Sequence, residues 1–178
     1  MSSEIVQVTL EDYLNFKNGK SSPERDESFN IPVYGSNGLI GFSEESNAEP
    51  NSLIIGRVGS YCGSVYHSNE ECWITDNAII ATPKNDNESY FWYYLLLSSN
   101  LHNYRSGSGQ PLLNQTTLNS ISVSIPNDLE RRIEIGEVLN TFDQKIHLNQ
   151  QTNETLEAMA QAIFKSWFVD FDPVRAKI

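Results

Sequence analysis

NDLERRIEIGEVLNTFDQKIHLNQQTNETLEAMAQAIFKSWF, residues 127–168, holds no proline and a single glycine, Gly136. Its apolar residues fall at Ile135, Val138/Leu139, Phe142, Ile146, Leu156, Met159, Ile163 and Trp167, spaced mainly by three and four. That spacing lines one face of an α-helix. Asn127 followed by Glu130 resembles a capping box, directly after a segment closed by Pro126. About forty residues at ~1.5 Å each predict one helix of roughly 60 Å. A stripe of that length cannot be buried against a small domain at one end, so it needs a second helix. Counting heptads from Ile135 puts Phe142, Asn149, Leu156 and Ile163 at equivalent positions. Asn149 then lies polar inside the seam, where it costs stability but fixes register, because a slipped pairing leaves its amide unpaired. The alternative is a bent helix with Asn149 exposed. Phe164, Trp167, Phe168 and Phe171 crowd the far end and need cover from outside this helix. Internal packing is expected for Phe164 and Trp167, and a mixed role for Phe168 and Phe171.

Working upstream, the texture is different. IPVYGSNGLIGF, residues 31–42, has apolar ends around Gly35-Ser-Asn-Gly38, a hairpin signal. NSLIIGRVGSYCGSVY, residues 51–66, is an apolar run broken by Gly56, Gly59 and Gly63. CWITDNAIIATP, residues 72–83, reads as a strand ended by Pro83. YFWYYLLLSSNLHNYR, residues 90–105, is too long and too continuously apolar for a half-exposed strand and reads as a buried helix. Ile121, Val123 and Ile125 alternate with serines, giving a strand with one face inward. A short helix is expected from Thr9, with Glu11 and Asp12 in its first turn. The expected fold is α+β: a globular domain over 1–126, then a long helix and tail over 127–178.

The 178 residues carry a net charge of -11, with six Lys/Arg against fourteen Asp/Glu in 1–127 and six against nine in 128–178. Taken alone this balance counts against nucleic acid, since phosphate neutralisation supplies much of such binding. It leaves room for a DNA reader whose partner carries the positive surface. The start, MSSEIVQVTLEDY, lacks the features of a signal peptide, and no apolar run is long enough for a membrane helix. The protein is read as cytoplasmic, with no membrane association. Cys62 and Cys72 match no zinc or redox spacing, and His67, His102 and His147 are scattered, so reduced buried thiols and no metal are expected.

No catalytic chemistry is visible. There is no Asn-Pro-Pro-aromatic tetrapeptide, no glycine-rich cofactor turn after a strand and no P-loop. Asp170 and Asp172 read as a solvated helix terminus. The chain is expected not to be an enzyme by itself.

LEAMAQAIFKSWFVDFDPVRAK, residues 156–177, resembles the conserved helical region of specificity subunits of type I restriction-modification systems. FKNGK, IPVYGSNGLIGF, CWITDNAIIA and GSGQPLLNQTTLNSISVSIPNDLERRIEIGEVLNTFDQKI are similar to landmarks of that family's target recognition domain and the helix leaving it. The resemblance implies two recognition domains joined by two antiparallel helices, each domain reading half of a split double-stranded DNA site. It also implies that the helices act as a ruler and dock two modification subunits, which bind S-adenosylmethionine and methylate adenine. Restriction subunits join only indirectly, and no cofactor is expected in this chain. The sequence departs from the pattern in having one recognition domain, 1–126, and one helix. Two copies pairing antiparallel through 128–168 would supply the missing helix, put recognition domains at opposite ends and read a palindromic pair of half-sites. The expected interface is Ile135, Leu139, Phe142, Ile146, Asn149, Leu156, Met159, Ile163, Phe164, Trp167, Phe168 and Phe171.

Base reading needs donors and acceptors on well-placed side chains, and three loops offer them. These are Tyr34, Ser36 and Asn37; Arg57, Ser60 and Tyr61; and Arg105, Ser106, Ser108 and Gln110. Lys17 and Lys20 are expected to hold phosphates, which fixes position rather than sequence. Three other readings stay open: a dimeric module binding a sugar or peptide through these loops, an enzyme with an unrecognised site, and a regulatory half-subunit competing for modification subunits.

Overall fold

A computed structural model describes residues 4–107 and 111–175. Strand β1 (Ile5–Thr9) leads into α1 (Leu10–Tyr13), where Thr9 and Asp12 form a reciprocal capping box. There follow β2 (Leu14–Asn18), the hairpin β3 (Ile31–Gly35) and β4 (Gly38–Ser43), β5 (Ser52–Gly56), β6 (Val65–Ser68), β7 (Trp73–Ile74) and β8 (Ala78–Pro83). Helices α2 (Ser89–Ser98) and α3 (Gln115–Asn119), strand β9 (Ser122–Pro126) and α4 (Leu129–Phe164) come next. A π-helical turn over Lys165–Val169 and α5 (Asp172–Arg175) end the described chain. The class is α+β, as the sequence implied.

The described residues form three sheets. β1 pairs with β9; β2-β8-β5-β6 make an antiparallel four-stranded sheet; β4-β3-β7 make a third, in which β3 and β7 run parallel. β5 and β8 are continuously apolar because both faces are covered. Leu53, Ile55, Ile79 and Ala81 point into a large core with Phe91, Trp92 and Leu96 of α2. Ile54, Ala78 and Ile80, one residue out of phase, point into a smaller core with Cys72 and Ile74. The strand period of two therefore divides one apolar run between two cores. Each fully buried Leu or Ile contributes ~1.5–3 kcal/mol. Cys62 and Cys72 are free and buried, and burial pushes the Cys72 thiol up to about 11.

Expectations for three elements need correction: the helix read over 90–105 ends at Ser98, and a separate 3₁₀ turn follows over Leu101–Tyr104. CWITDNAIIATP is not one strand; Thr75, Asp76 and Asn77 form a turn closed by Ala78 N–H on the Thr75 carbonyl. The long helix is capped by Asp128 rather than Asn127, through Glu130 N–H donating to Asp128 Oδ1 at 3.0 Å.

The chain divides into two compact units, 1–137 and 138–178. The division falls eleven residues later than the break expected after residue 126 because the start of α4 packs with the first unit. Arg132 Nε donates to Glu88 Oε2 at 2.6 Å, with both side chains almost fully buried. Its Nη1 donates to the carbonyls of Pro126 and Asn127 at 2.8 and 2.9 Å, and its guanidinium lies 5.2 Å from the Tyr13 ring centre. One turn on, Gly136 lies so close to α2 that a Cβ there would sit 2.5 Å from the backbone nitrogen of Phe91. Ile135, expected at a partner interface, is half-buried against this unit's own core.

His67 on β6 has ring centres of Tyr90 and Tyr93 at 4.8 and 5.7 Å, and burial lowers its pKa from 6.5 to about 4. The folded state holds it neutral where the unfolded chain protonates it. Stability from this site is thus complete above pH ~6.5 and is lost as pH falls toward ~4. The loss should reach ~2 kcal/mol after allowing for solvent screening. Denaturant unfolding between pH 7 and 4 should show this slope in the native protein and a flatter one in His67→Phe.

Candidate nucleic-acid interface

Strand register brings separate loops to one end of the sheets. β5 ends at Gly56 opposite Ala78, the first residue of β8; β6 begins at Val65 opposite Ile55; β2 ends at Asn18 opposite Ile79. In the third sheet, β3 turns into β4 between Gly35 and Gly38, and β7 ends at Ile74 beside Tyr34. Residues 17–20, 35–38, 57–64 and 75–77 therefore share one edge. Residues 105–107 and 111–113 join them through bridges of Leu112 to Val58 and to Ser106.

Hydrogen bonds fasten these loops to one another. Ser64 Oγ donates to the Ser36 carbonyl at 2.6 Å. Arg57 N–H donates to the Asn77 carbonyl at 2.9 Å, and Leu113 N–H donates to the Arg57 carbonyl at 2.9 Å. Thr75 N–H donates to Tyr34 O, Lys20 N–H to Ile74 O, and Gly59 N–H to Pro111 O. Gly63 has φ +91, and a Cβ there would meet the His102 nitrogen at 2.4 Å, so only glycine lets this loop close on the next. Short loops tied at this density are preorganised for recognition.

The expected contact residues divide. Asn37, Ser60, Tyr61, Arg105 and Lys17 are exposed at this end, with Ser36 partly covered. Lys20 is exposed too, its ammonium 5.8 Å from the Trp73 ring centre. Arg57 is held by Nη1 donating to the Asp76 carbonyl at 3.2 Å, while its Nε is buried with no partner among the described residues. Ser106 is exposed, but its N–H and hydroxyl both turn to Leu112. Ser108 and Gln110 lie outside the described residues. Tyr34 is placed elsewhere: its ring packs on the smaller core, and burial raises its phenol against a bond with Ser68 at the opposite end of the strands. Residue alternation along β3 turns that side chain inward. The turn Thr75–Asn77, missed as a loop, lies among these residues, with Asp76 and Asn77 exposed and Thr75 Oγ1 buried without a partner among the described residues. Its Asp-Asn pair was the available signal, hidden inside an apolar run.

Charge is unevenly divided between the two ends of the strands in a way that net charge conceals, with Lys84 the cation that follows β8 at the acidic end. Lys17, Lys20, Arg57 and Arg105 sit at the loop end, where Asp76 is the acidic residue of the turns named above. Glu44, Glu45, Glu49, Glu70 and Glu71 follow or precede the other ends of the same strands. A shallow cleft of about 260 Å³ is lined by Glu24, Glu44, Glu45, Phe29 and Trp73, a lining whose three carboxylates repel phosphate. Among the described residues, no group of three His, Cys, Asp or Glu is arranged to hold a metal, and no helix is long and apolar enough to cross a membrane.

Residues 2–158 match the family model described as the type I restriction modification DNA specificity domain. The chain belongs to that family. It is 43% identical over 111 residues to the type I restriction enzyme HindI specificity subunit of Haemophilus influenzae, covering 58% of this chain and 22% of that protein. The crystal structure of a type I restriction-modification system S subunit from Mycoplasma genitalium has the same fold, with TM-score 0.78 and 15% identity over 95% of this chain and 48% of that one. A structure from a study of complex assembly and conformational transition of the type I system matches with TM-score 0.62 and 17% identity, over 91% of this chain and 44% of that one. This specificity-domain chain thus spans at most about half the length of the proteins it matches.

The second unit of the specificity-domain chain is a helix with its apolar stripe uncovered. Leu139, Phe142, Ile146, Leu156, Met159, Ile163, Phe164, Trp167, Phe168 and Phe171 are 37% to 63% exposed. Asn149 is exposed as well. Phe164 and Phe168 pair at 5.2 Å, the π-helical turn ends at Val169, and Phe171 beyond it has φ +55.

Proposed function

We propose that the chain is the sequence-reading, non-catalytic part of a type I restriction-modification assembly. Its loop end reads one half of a bipartite double-stranded DNA site, and the stripe of α4 pairs with a second copy. The aromatic end, with the outer faces of the paired helices, docks the modification subunits, which bring S-adenosylmethionine and the methylation chemistry. Restriction subunits then join through that assembly in the cytoplasm. The observation that carries this reading is the convergence of tied loops and four cations at one sheet edge of an otherwise acidic domain. Lys17 and Lys20 hold phosphates there, and Arg57, Asn37, Ser60 and Tyr61 face base edges. Modification subunits clamping the duplex supply the remaining phosphate contacts.

Arg57→Ala tests the reading end. The structural bonds of Arg57 run mainly through its backbone, so the variant should fold with an unchanged melting temperature. Assembled with modification subunits, it should alter the methylated sequence at one position, a discrimination change of ~1–3 kcal/mol. Lys17→Ala should instead weaken binding evenly across sequences and reduce the salt slope by about one. An unchanged methylation pattern in Arg57→Ala would place the reading residues elsewhere.

A further inference from the structure

The uncovered stripe of α4 has an internal symmetry centred on Asn149. Phe142 and Leu156 lie seven residues to either side, Leu139 and Met159 ten, and Ile135 and Ile163 fourteen. Ile146 and Thr152 lie three to either side. The Thr152 hydroxyl donates to the Leu148 carbonyl of its own helix at 2.8 Å, so that position offers a methyl group to a neighbour. Asp143, Lys145, Glu154 and Glu157, the Asp, Glu and Lys residues between 139 and 159, each have an uncharged residue at the mirrored position. A self-complementary pattern is the requirement for an isologous contact, in which residue i meets j and j meets i.

We propose that a second copy of this chain covers the stripe antiparallel, with the two-fold axis passing beside Asn149. This rests on the homodimer reading above and adds its register. Phe142 stacks against Leu156 of the second copy, Leu139 against Met159, Ile146 against Thr152, and the two Asn149 amides bond to each other. Sliding by one heptad in either direction sets Asn149 against Leu156 or Phe142 and leaves both amides buried without partners. Residues from Leu139 to Ile163 of two chains cover on the order of 1,200 Å² in total, the size of a stable small interface. The outer half-buried Ile135 closes the seam where it meets the domain's own core.

The register is read by cysteine cross-linking in the full chain, whose native Cys62 and Cys72 are buried. Asn149→Cys, on the axis, should form a disulfide with its own copy in nearly all chains on mild oxidation. Phe142→Cys alone should not, because its two copies lie ~20 Å apart along the seam. Mixed with Leu156→Cys, it should give a mixed disulfide. Circular dichroism verifies that each variant stays helical. A dimer in sedimentation that cross-links through other pairs overturns the register and leaves the homodimer standing. A monomer at high micromolar concentration overturns both.

Discussion

Arg132→Ala is expected to lower the stability of the first unit by about 3–5 kcal/mol, the cost of leaving a buried charge without its partner. Glu88 is only 4% exposed and would lose its 2.6 Å bond, and the carbonyls of Pro126 and Asn127 would lose their donor. In a chain of this length the melting temperature should fall by roughly 10 °C, read by calorimetry. The double variant Arg132→Met, Glu88→Leu should recover most of the loss, because a buried pair replaced by apolar groups of similar volume is often neutral. A loss below about 1 kcal/mol in the single variant would mean that the start of α4 is anchored by Ile135 and Gly136 alone. Within the first unit, this pair ties the start of α4 to Glu88, just before α2.

Phe142→Ala should act on assembly and leave the fold untouched. The side chain is 63% exposed in the single chain, so removing it creates no cavity there. In the paired form each copy loses a buried aromatic worth ~3 kcal/mol, twice per dimer. The dissociation constant should rise at least a thousandfold. Sedimentation should show a folded monomer at concentrations where the native chain is expected to pair, with the melting transition of the first unit unchanged. Methylation by the assembled system should fail at concentrations below the new constant. A Phe142→Ala dimer as tight as the native one would remove the stripe from the interface.

Much of the fold was legible because its signals are local. The turn residues Gly35–Gly38, the Thr9 cap with Asp12 three residues on, and the alternation of Ile121, Val123 and Ile125 each act within a few residues. The 36-residue helix was legible for the same reason, since three-and-four spacing repeats over ten turns. Legibility failed where distant segments compete. Thr75–Asn77 is a turn because Tyr34, Lys20 and Arg57 bind its ends, and nothing within CWITDNAIIATP announces them. Tyr34 looked like a loop residue, yet β3 alternation and the pull of the smaller core turn it inward.

The amino-acid order alone determined the class of the fold and the long helix with its apolar stripe, because helical periodicity is written directly in the spacing of apolar residues. Only the tertiary structure decided which loops share an edge and how the charges are parted. Lys17, Arg57 and Arg105 are 40 and 48 residues apart in the chain, and strand register brings them together while carrying Glu44, Glu45, Glu70 and Glu71 to the other end. A net charge of -11 cannot reveal this, because it sums over positions that the sheets hold at opposite ends of their strands, beyond the ~8–10 Å range of screened attraction.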